Sequence, residues 1–272
     1  MDHETIRVRR QGQVCRVRFD RPERENAIND TLVRECHAVL DDCARDGVGV
    51  VVFEGSPEVF CVGADFTAVA EGQAPVGSEP AAEYDPAPLF DLWLRMATGP
   101  FVTVAHVRGK TNAGGVGFVA ASDVAIADTS ATFGLSELLF GLYPAMVLPF
   151  LTRRVGFQRA NYLTLTTRSV DARQAAEWGL VDACAERGGP LLAQHLGRLG
   201  KLSVDGIARY KRFMSTELAP VGRHREPAIA ANLEIFSDPR NLERITRFVE
   251  HGIYPWEQGG PHPGRRADEG PA

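Results

Sequence analysis

The chain has 272 residues, 44% hydrophobic and 24% charged, a composition suited to a soluble globular protein with a substantial core. Its net charge of −5 gives no support for a sequence-independent nucleic-acid surface, which would need clustered Lys and Arg. There is no run of about 18 apolar residues to span a membrane, and the polar start MDHETIRVRRQGQ lacks a signal-peptide core. A cytoplasmic enzyme is the expectation.

In chain order, TIRVRRQGQVCRVRFD alternates apolar and polar residues around Gly12 and predicts a hairpin. After RPERENAIND, Asp30 is placed to cap a helix with Leu32, Val33, Cys36, Val39, Leu40 and Cys43 on one stripe. VGVVVFEG (Val48 to Gly55), VTVAHV (Val102 to Val107) and VAIAD (Val124 to Asp128) predict short buried strands. Strands alternating with helical stretches indicate an α/β fold. Ala68 to Pro88, rich in Ala, Gly, Pro and acids, predicts a surface excursion able to act as a lid. From about Asp171 the chain is expected to be mostly helical, and the tail EQGGPHPGRRADEGPA is expected to be disordered.

The five cysteines (Cys15, Cys36, Cys43, Cys61 and Cys184) form no C-x-x-C pair, and Cys36 and Cys43 fall on an apolar helix face, consistent with packing. The seven histidines (His3, His37, His106, His195, His224, His251 and His262) have no ligand spacing, so no metal site is expected.

The glycine-rich stretch VTVAHVRGKTNAGGVGFVAASD contains two nucleotide-like spellings. A phosphate-binding loop ending at Gly109-Lys110-Thr111 would need its first glycine at Val104, which belongs to a strand. A dinucleotide fingerprint should follow its strand directly, whereas RGKTNAG intervenes before Gly115. A third reading is that Gly114 and Gly115 open a helix whose unpaired N–H groups can hold a developing enolate oxygen. Close helix–strand packing explains the same glycines equally well.

Other motifs decide between these. FDRPERENAIND, VFCVGADF, VRGKTNAGGVGFVAASDVAIAD, TFGLSELLFGLYP and VGFQRANYLTLTTRSVDARQAAEWGLVDA resemble, in this order, the crotonase or enoyl-CoA hydratase superfamily, over roughly Ile6 to Trp256. The resemblance implies a crotonase fold: a spiral of ββα turns over residues 1–195, and a C-terminal helical trimerisation region over 196–256. Residues 257–272 form the tail. It also implies homotrimers or dimers of trimers, and a thioester substrate on coenzyme A or an acyl carrier protein, with no other cofactor. The enolate would be held by the backbone N–H groups of Ala64 and Gly114. A hydratase of this family carries two glutamates: one matches Glu137 in TFGLSELLFG, while the other position is Gly117, so that acid is absent.

Glu137 is thus the expected general base, among mostly apolar neighbours that would raise its pKa. Asp65 matches the family's GAD segment, either as a catalytic group or as a helix cap. Lys110 is a candidate for a substrate carboxylate, with a solvated loop lysine as the alternative, and Asn112 and Tyr143 are candidates for a substrate hydroxyl. Two longer stretches, LFDLWLRMATGPFVTVAHVRGKTNAGGVGFVAASDVAIAD and LSELLFGLYPAMVLPFLTRRVGFQRANYLTL, resemble one branch in particular. These are the dehydratases accompanying modular polyketide synthases, which convert 3-hydroxy-3-methylglutaryl on an acyl carrier protein to 3-methylglutaconyl. A single-glutamate isomerase or hydratase, and a non-catalytic thioester-binding subunit, are the other readings.

Overall fold

The computed structural model describes residues 3–66 and 85–257. The alternation around Gly12 produces the expected hairpin, β1 (Ile6–Gln11) antiparallel to β2 (Val14–Phe19). Helix α1 (Asp30–Arg45) buries Leu32, Val33, Cys36, Val39, Leu40 and Cys43, the whole predicted stripe. Its cap is Asn29 rather than Asp30. The Asn29 side chain accepts the Leu32 N–H, while Asp30 takes the first helical position, where its charge favours the positive end of the dipole.

The strands then alternate between two sheets. β3 (Val50–Glu54), β5 (Val102–Val107) and β7 (Val124–Asp128) join β1 and β2 in a six-stranded sheet ordered β1-β2-β3-β5-β7-β10, with β10 at Ala183–Ala185. β4 (Val59–Cys61), β6 (Lys110–Asn112), β8 (Thr132–Gly134) and β9 (Val170–Asp171) form the second sheet in that order. Each turn of chain therefore gives one strand to each sheet before a helix, and successive turns stack in parallel register, as in Val52 opposite Val104 and Lys110 opposite Thr132. This is the expected ββα spiral. The strands β3 and β5 are buried on both faces, which is why they read as continuous valine-rich runs rather than alternations.

Between strands run α2 (Ala87–Thr98) and α3 (Gly114–Ala121). From Gly115 onward every residue of α3 is buried, so it is a core helix without a polar face. The stretch expected as a lid, Ala68 to Pro88, lies mostly outside the described residues. Its last two residues, Ala87 and Pro88, belong to α2 instead, because proline is tolerated in a helix's first turn. Most of the tail expected to be disordered also lies outside the described residues.

The C-terminal part is mostly helical, as expected from about Asp171, apart from β9 and β10. It comprises α4 (Leu148–Val155), α5 (Phe157–Thr166), α6 (Ala172–Glu177), α7 (Gly188–Leu199), α8 (Val204–Phe213), α9 (Arg225–Ser237) and α10 (Pro239–His251). No helix among the described residues is long and apolar enough to cross a membrane. An apolar cluster of Phe140, Leu142, Ile235, Ile245 and Tyr254 fastens α9 and α10 to the segment after β8. His106 lies buried between Glu54 and Asp128, 2.9 and 3.3 Å from their carboxylates, and links the ends of β3, β5 and β7.

One ion pair ties α8 to the spiral. The buried Lys211 ammonium donates to Asp123 at 2.5 Å and to the carbonyls of Met96 and Phe101 at 2.9 and 2.8 Å. Burial pulls its pKa down, and the Asp123 charge opposes that pull. Removing the ammonium leaves the Asp123 carboxylate without its cation, held only by Thr103 among the described residues, and takes a donor from two carbonyls. Lys211→Ala should therefore cost roughly 3 kcal/mol in chemical denaturation, whereas exposed Lys201→Ala should change little.

Candidate active site

A cavity of about 1260 Å³ opens where the two sheets, the start of α3 and the C-terminal helices meet. All seven residues singled out in the sequence line it: Ala64, Asp65, Lys110, Asn112, Gly114, Glu137 and Tyr143.

The two backbone donors are brought together by a glycine contact. Gly63 has φ +93, and a Cβ there would stand 2.7 Å from the Ala113 Cβ and 2.9 Å from the Gly114 nitrogen. Only a residue without a side chain lets these segments touch in this conformation. Ile28 bridges the first segment in parallel, donating its N–H to the Gly63 carbonyl and accepting the Asp65 N–H. Its partners are the residues on either side of Ala64, so the Ala64 N–H faces away from that bridge. On the other segment, Gly114 is the first residue of α3, and a first-turn N–H has no intrahelical partner. Ala113 before it is a non-glycine residue at φ 48, ψ −119, a strained conformation held by its N–H bond to the Gly134 carbonyl.

Asp65 does not project free into the cavity. Its carboxylate accepts from Arg21 at 2.9 Å, both side chains being nearly buried, and Arg21 also donates to the Ala27 carbonyl. The pair clamps the Ala64 segment to the Arg21–Ile28 turn. The residues after Phe66, where Asp65 was expected to cap a helix, lie outside the described residues. Asn112 at the end of β6 donates to the Ser136 hydroxyl at 2.7 Å, joining that strand to the residue before Glu137. Lys110 reaches Glu25 at only 3.4 Å with both side chains well exposed, a pair weak enough to be exchanged for another anion. Tyr143 lines the cavity, 37% exposed.

Glu137 opens a 3-10 helix (Glu137–Phe140) two residues after β8, following Leu135 and Ser136. Its Oε2 is cut off from solvent and has no hydrogen-bond partner, and this burial pushes its pKa up from 4.5 to about 7. A carboxylate without a cation beside it and with such a pKa suits proton transfer near neutrality.

The missing second acid has a structural counterpart. A Cβ at Gly117 would meet the Trp93 indole at 2.5 Å (Cζ2) and 2.6 Å (Cη2). Trp93, on α2, thus fills the space that a side chain at 117 would occupy. Edge-on contacts with Phe118 and Phe150 (centroids 5.9 and 6.0 Å apart) hold the ring there. Sequence reasoning did not single out Trp93, nor Thr111, Ser136, Arg21 or the aromatic residues Phe236, Phe248 and Tyr254 that wall the cavity from the C-terminal helices. Thr111 and Ser136 sit beside residues that were singled out, whereas Trp93, Arg21 and the C-terminal aromatic residues reach the site from elements distant in sequence, which no spacing rule connects.

Two backbone segments with their N–H groups and one desolvated carboxylate thus line the same cavity. Residues 9–259 match the enoyl-CoA hydratase/isomerase family, and the chain belongs to it. It is 52% identical over 255 residues to the bacillaene synthase dehydratase PksH of Bacillus subtilis, covering 94% of this chain and 97% of that protein. The crystal structure of the Bacillus subtilis PksH protein superposes with a TM-score of 0.88, covering 93% of this chain and 100% of that one. A more distant relative, the hydroxycinnamoyl-CoA hydratase-lyase of Pseudomonas fluorescens, is 33% identical over 191 residues, 66% of each chain. An enoyl-CoA hydratase from Mycobacterium avium superposes with a TM-score of 0.78 at 26% identity, covering 92% of this chain and 97% of that one.

Two stability predictions follow from the site. Gly117→Glu should lower thermal stability by roughly 1–3 kcal/mol by overpacking against Trp93, and pairing it with Trp93→Ala should recover part of that loss. For Glu137, the folded state holds the proton more tightly than the unfolded chain, so native stability falls as pH rises from 4.5 to about 7. Glu137→Gln removes that fall. Its melting temperature should exceed the wild type's at pH 8, by an amount corresponding to roughly 1–3 kcal/mol, and the two should converge near pH 4.5.

Proposed function

We propose that this chain dehydrates 3-hydroxy-3-methylglutaryl carried on an acyl carrier protein to 3-methylglutaconyl, the dehydration step of polyketide β-branching. The single observation that carries this reading is the lone desolvated Glu137 carboxylate facing the same cavity as the Ala64 and Gly114 donors, with position 117 closed by Trp93. The 52% identity to a protein named as a bacillaene synthase dehydratase supports the hydro-lyase assignment and the polyketide setting.

In this mechanism the Glu137 carboxylate takes the α-proton of the thioester. The electron pair moves onto the thioester oxygen, which the Ala64 and Gly114 N–H groups stabilise; one such donor is worth about 10²–10³ in rate. The enolate then collapses, forming the Cα–Cβ double bond as the C3–O bond breaks. The leaving hydroxyl takes the proton back from Glu137 and departs as water. Lys110 pairs with the distal carboxylate, and Asn112 and Tyr143 are assigned to the substrate's hydroxyl region. Asp65 holds the Ala64 segment through Arg21. The reaction is redox-neutral and one carboxyl group carries the proton both ways, so it needs no cofactor beyond the pantetheine or coenzyme A handle. The exposed Phe157 and Leu165 on α5, and Tyr210 and Phe213 on α8, support burial against further copies as a homotrimer or dimer of trimers.

Incubation with the 3-hydroxy-3-methylglutaryl carrier protein, read by intact mass, tests the reaction. Loss of about 18 Da is expected for one water; an unchanged mass with folded enzyme overturns the assignment and leaves the isomerase or a non-catalytic subunit. Glu137→Gln should reduce turnover by about 10²–10⁴-fold with folding intact. The wild-type rate should fall below about pH 7, as the base takes up its proton.

A further inference from the structure

Four non-glycine residues among the described residues have positive φ: Glu25, Asn26, Ala113 and Thr167. Glu25 (φ 48, ψ 36) and Thr167 (φ 52, ψ 12) lie in the left-handed helical well, which L residues visit at modest cost. Ala113, at φ 48 and ψ −119, lies outside it. That is the conformation of the first central residue of a type II′ turn, where glycine is the usual occupant. Glycine would sit there without strain, yet the chain carries a methyl group at this position.

The methyl is placed by its contact. It is the nearest atom to a Cβ built on Gly63, at 2.7 Å, and the Gly114 nitrogen comes next at 2.9 Å. The Ala113 side chain therefore packs on the Gly63 α-carbon where the Ala64 and Gly114 segments meet, and Ala113 lines the cavity. Two bonds tie its backbone: its N–H donates to the Gly134 carbonyl at 3.0 Å, and its carbonyl accepts the Val116 N–H at 2.9 Å. That carbonyl and the Gly114 N–H share one trans peptide plane and point opposite ways, so ψ at Ala113 sets the direction of the Gly114 donor. Glycine at 113 would make a run of three with Gly114 and Gly115, and that plane would gain freedom to rotate.

We propose that Ala113 is a positioning residue for enolate formation: its methyl, seated against Gly63, holds the Gly114 N–H in the direction that the thioester oxygen requires as it gains charge. This rests on the enolate mechanism proposed above. The methyl touches no reacting atom and acts through the Gly114 donor. Its effect falls in the transition state, where the charge on that oxygen is greatest, rather than on binding of the thioester. The strained backbone is the counterpart of this role, because a side chain is kept where local conformation disfavours it.

Ala113→Gly keeps every backbone donor and removes the methyl. The variant should melt no lower than the wild type, because relief of strain offsets the added freedom of its unfolded chain. Deuterium entry at Cα of 3-methylglutaryl-CoA in deuterated water should nevertheless slow by about 10–100-fold, with the Kd for that thioester unchanged. Ala113→Ser, which keeps a Cβ, should retain most of the wild-type exchange rate. An alanine with a merely structural role would lose stability and rate together, or neither. Equal exchange by wild type and Ala113→Gly therefore overturns the proposal. So does a slower exchange that accompanies a lower melting temperature, or one that Ala113→Ser shares in full. The probe lacks the 3-hydroxyl, so its exchange reports enolate formation without water loss. Wild-type exchange with no water lost from the 3-hydroxy-3-methylglutaryl thioester would remove the dehydratase assignment and leave this role standing. No exchange by the wild type would remove the enolate mechanism, and this role with it.

Discussion

The site depends on the contact of two backbone segments at Gly63. Its α-carbon lies against Ala113 and the Gly114 nitrogen at a separation that no side chain could share. That contact sets the spacing of the Ala64 and Gly114 donors, and several other features serve to hold it. Ile28 bridges one side, and Arg21 clamps Asp65 and the Ala27 carbonyl beneath it. On the other side the strained Ala113 is pinned to Gly134, at the end of the strand that leads to Glu137. The Ala64 and Gly114 N–H groups and Glu137 are therefore positioned by one connected frame built on the stacked strands.

Against that frame the electrostatics are deliberately uneven. The ionisable groups around Lys211 and His106 are matched with partners, as buried charges must be. Glu137 is not: it keeps an unpaired carboxylate oxygen in a cavity wall, at a cost in stability above pH 7. A protein tolerates such a group where reactivity needs it. Trp93 shapes the same cavity by exclusion, leaving no room for a second carboxylate at 117.

Much of this was legible in the sequence, and the limits have physical reasons. The α1 stripe and the three valine-rich strands follow from local periodicity, and all were found where expected, the strand at Val50–Glu54 a little shorter than read. The helix cap was misplaced by one residue because Asn29 and Asp30 are both good caps and only the backbone conformation separates them. All seven proposed site residues reached the cavity, yet Asp65 proved to be engaged with Arg21, 44 positions earlier. The gap at Gly117 was visible as a missing letter, but not what fills it. Trp93 sits 24 positions before Gly117 on another helix, and no spacing rule connects them.

The central claim is that one desolvated carboxylate, without a charged partner, is poised to exchange a proton near neutrality. Carbon-13 NMR of glutamate-labelled protein, with the Glu137 side-chain carboxyl signal assigned by its loss in Glu137→Gln, measures this directly. The signal should titrate with a midpoint near pH 7 in the free enzyme. A midpoint near 4.5, the value of an ordinary solvated glutamate, would contradict the account.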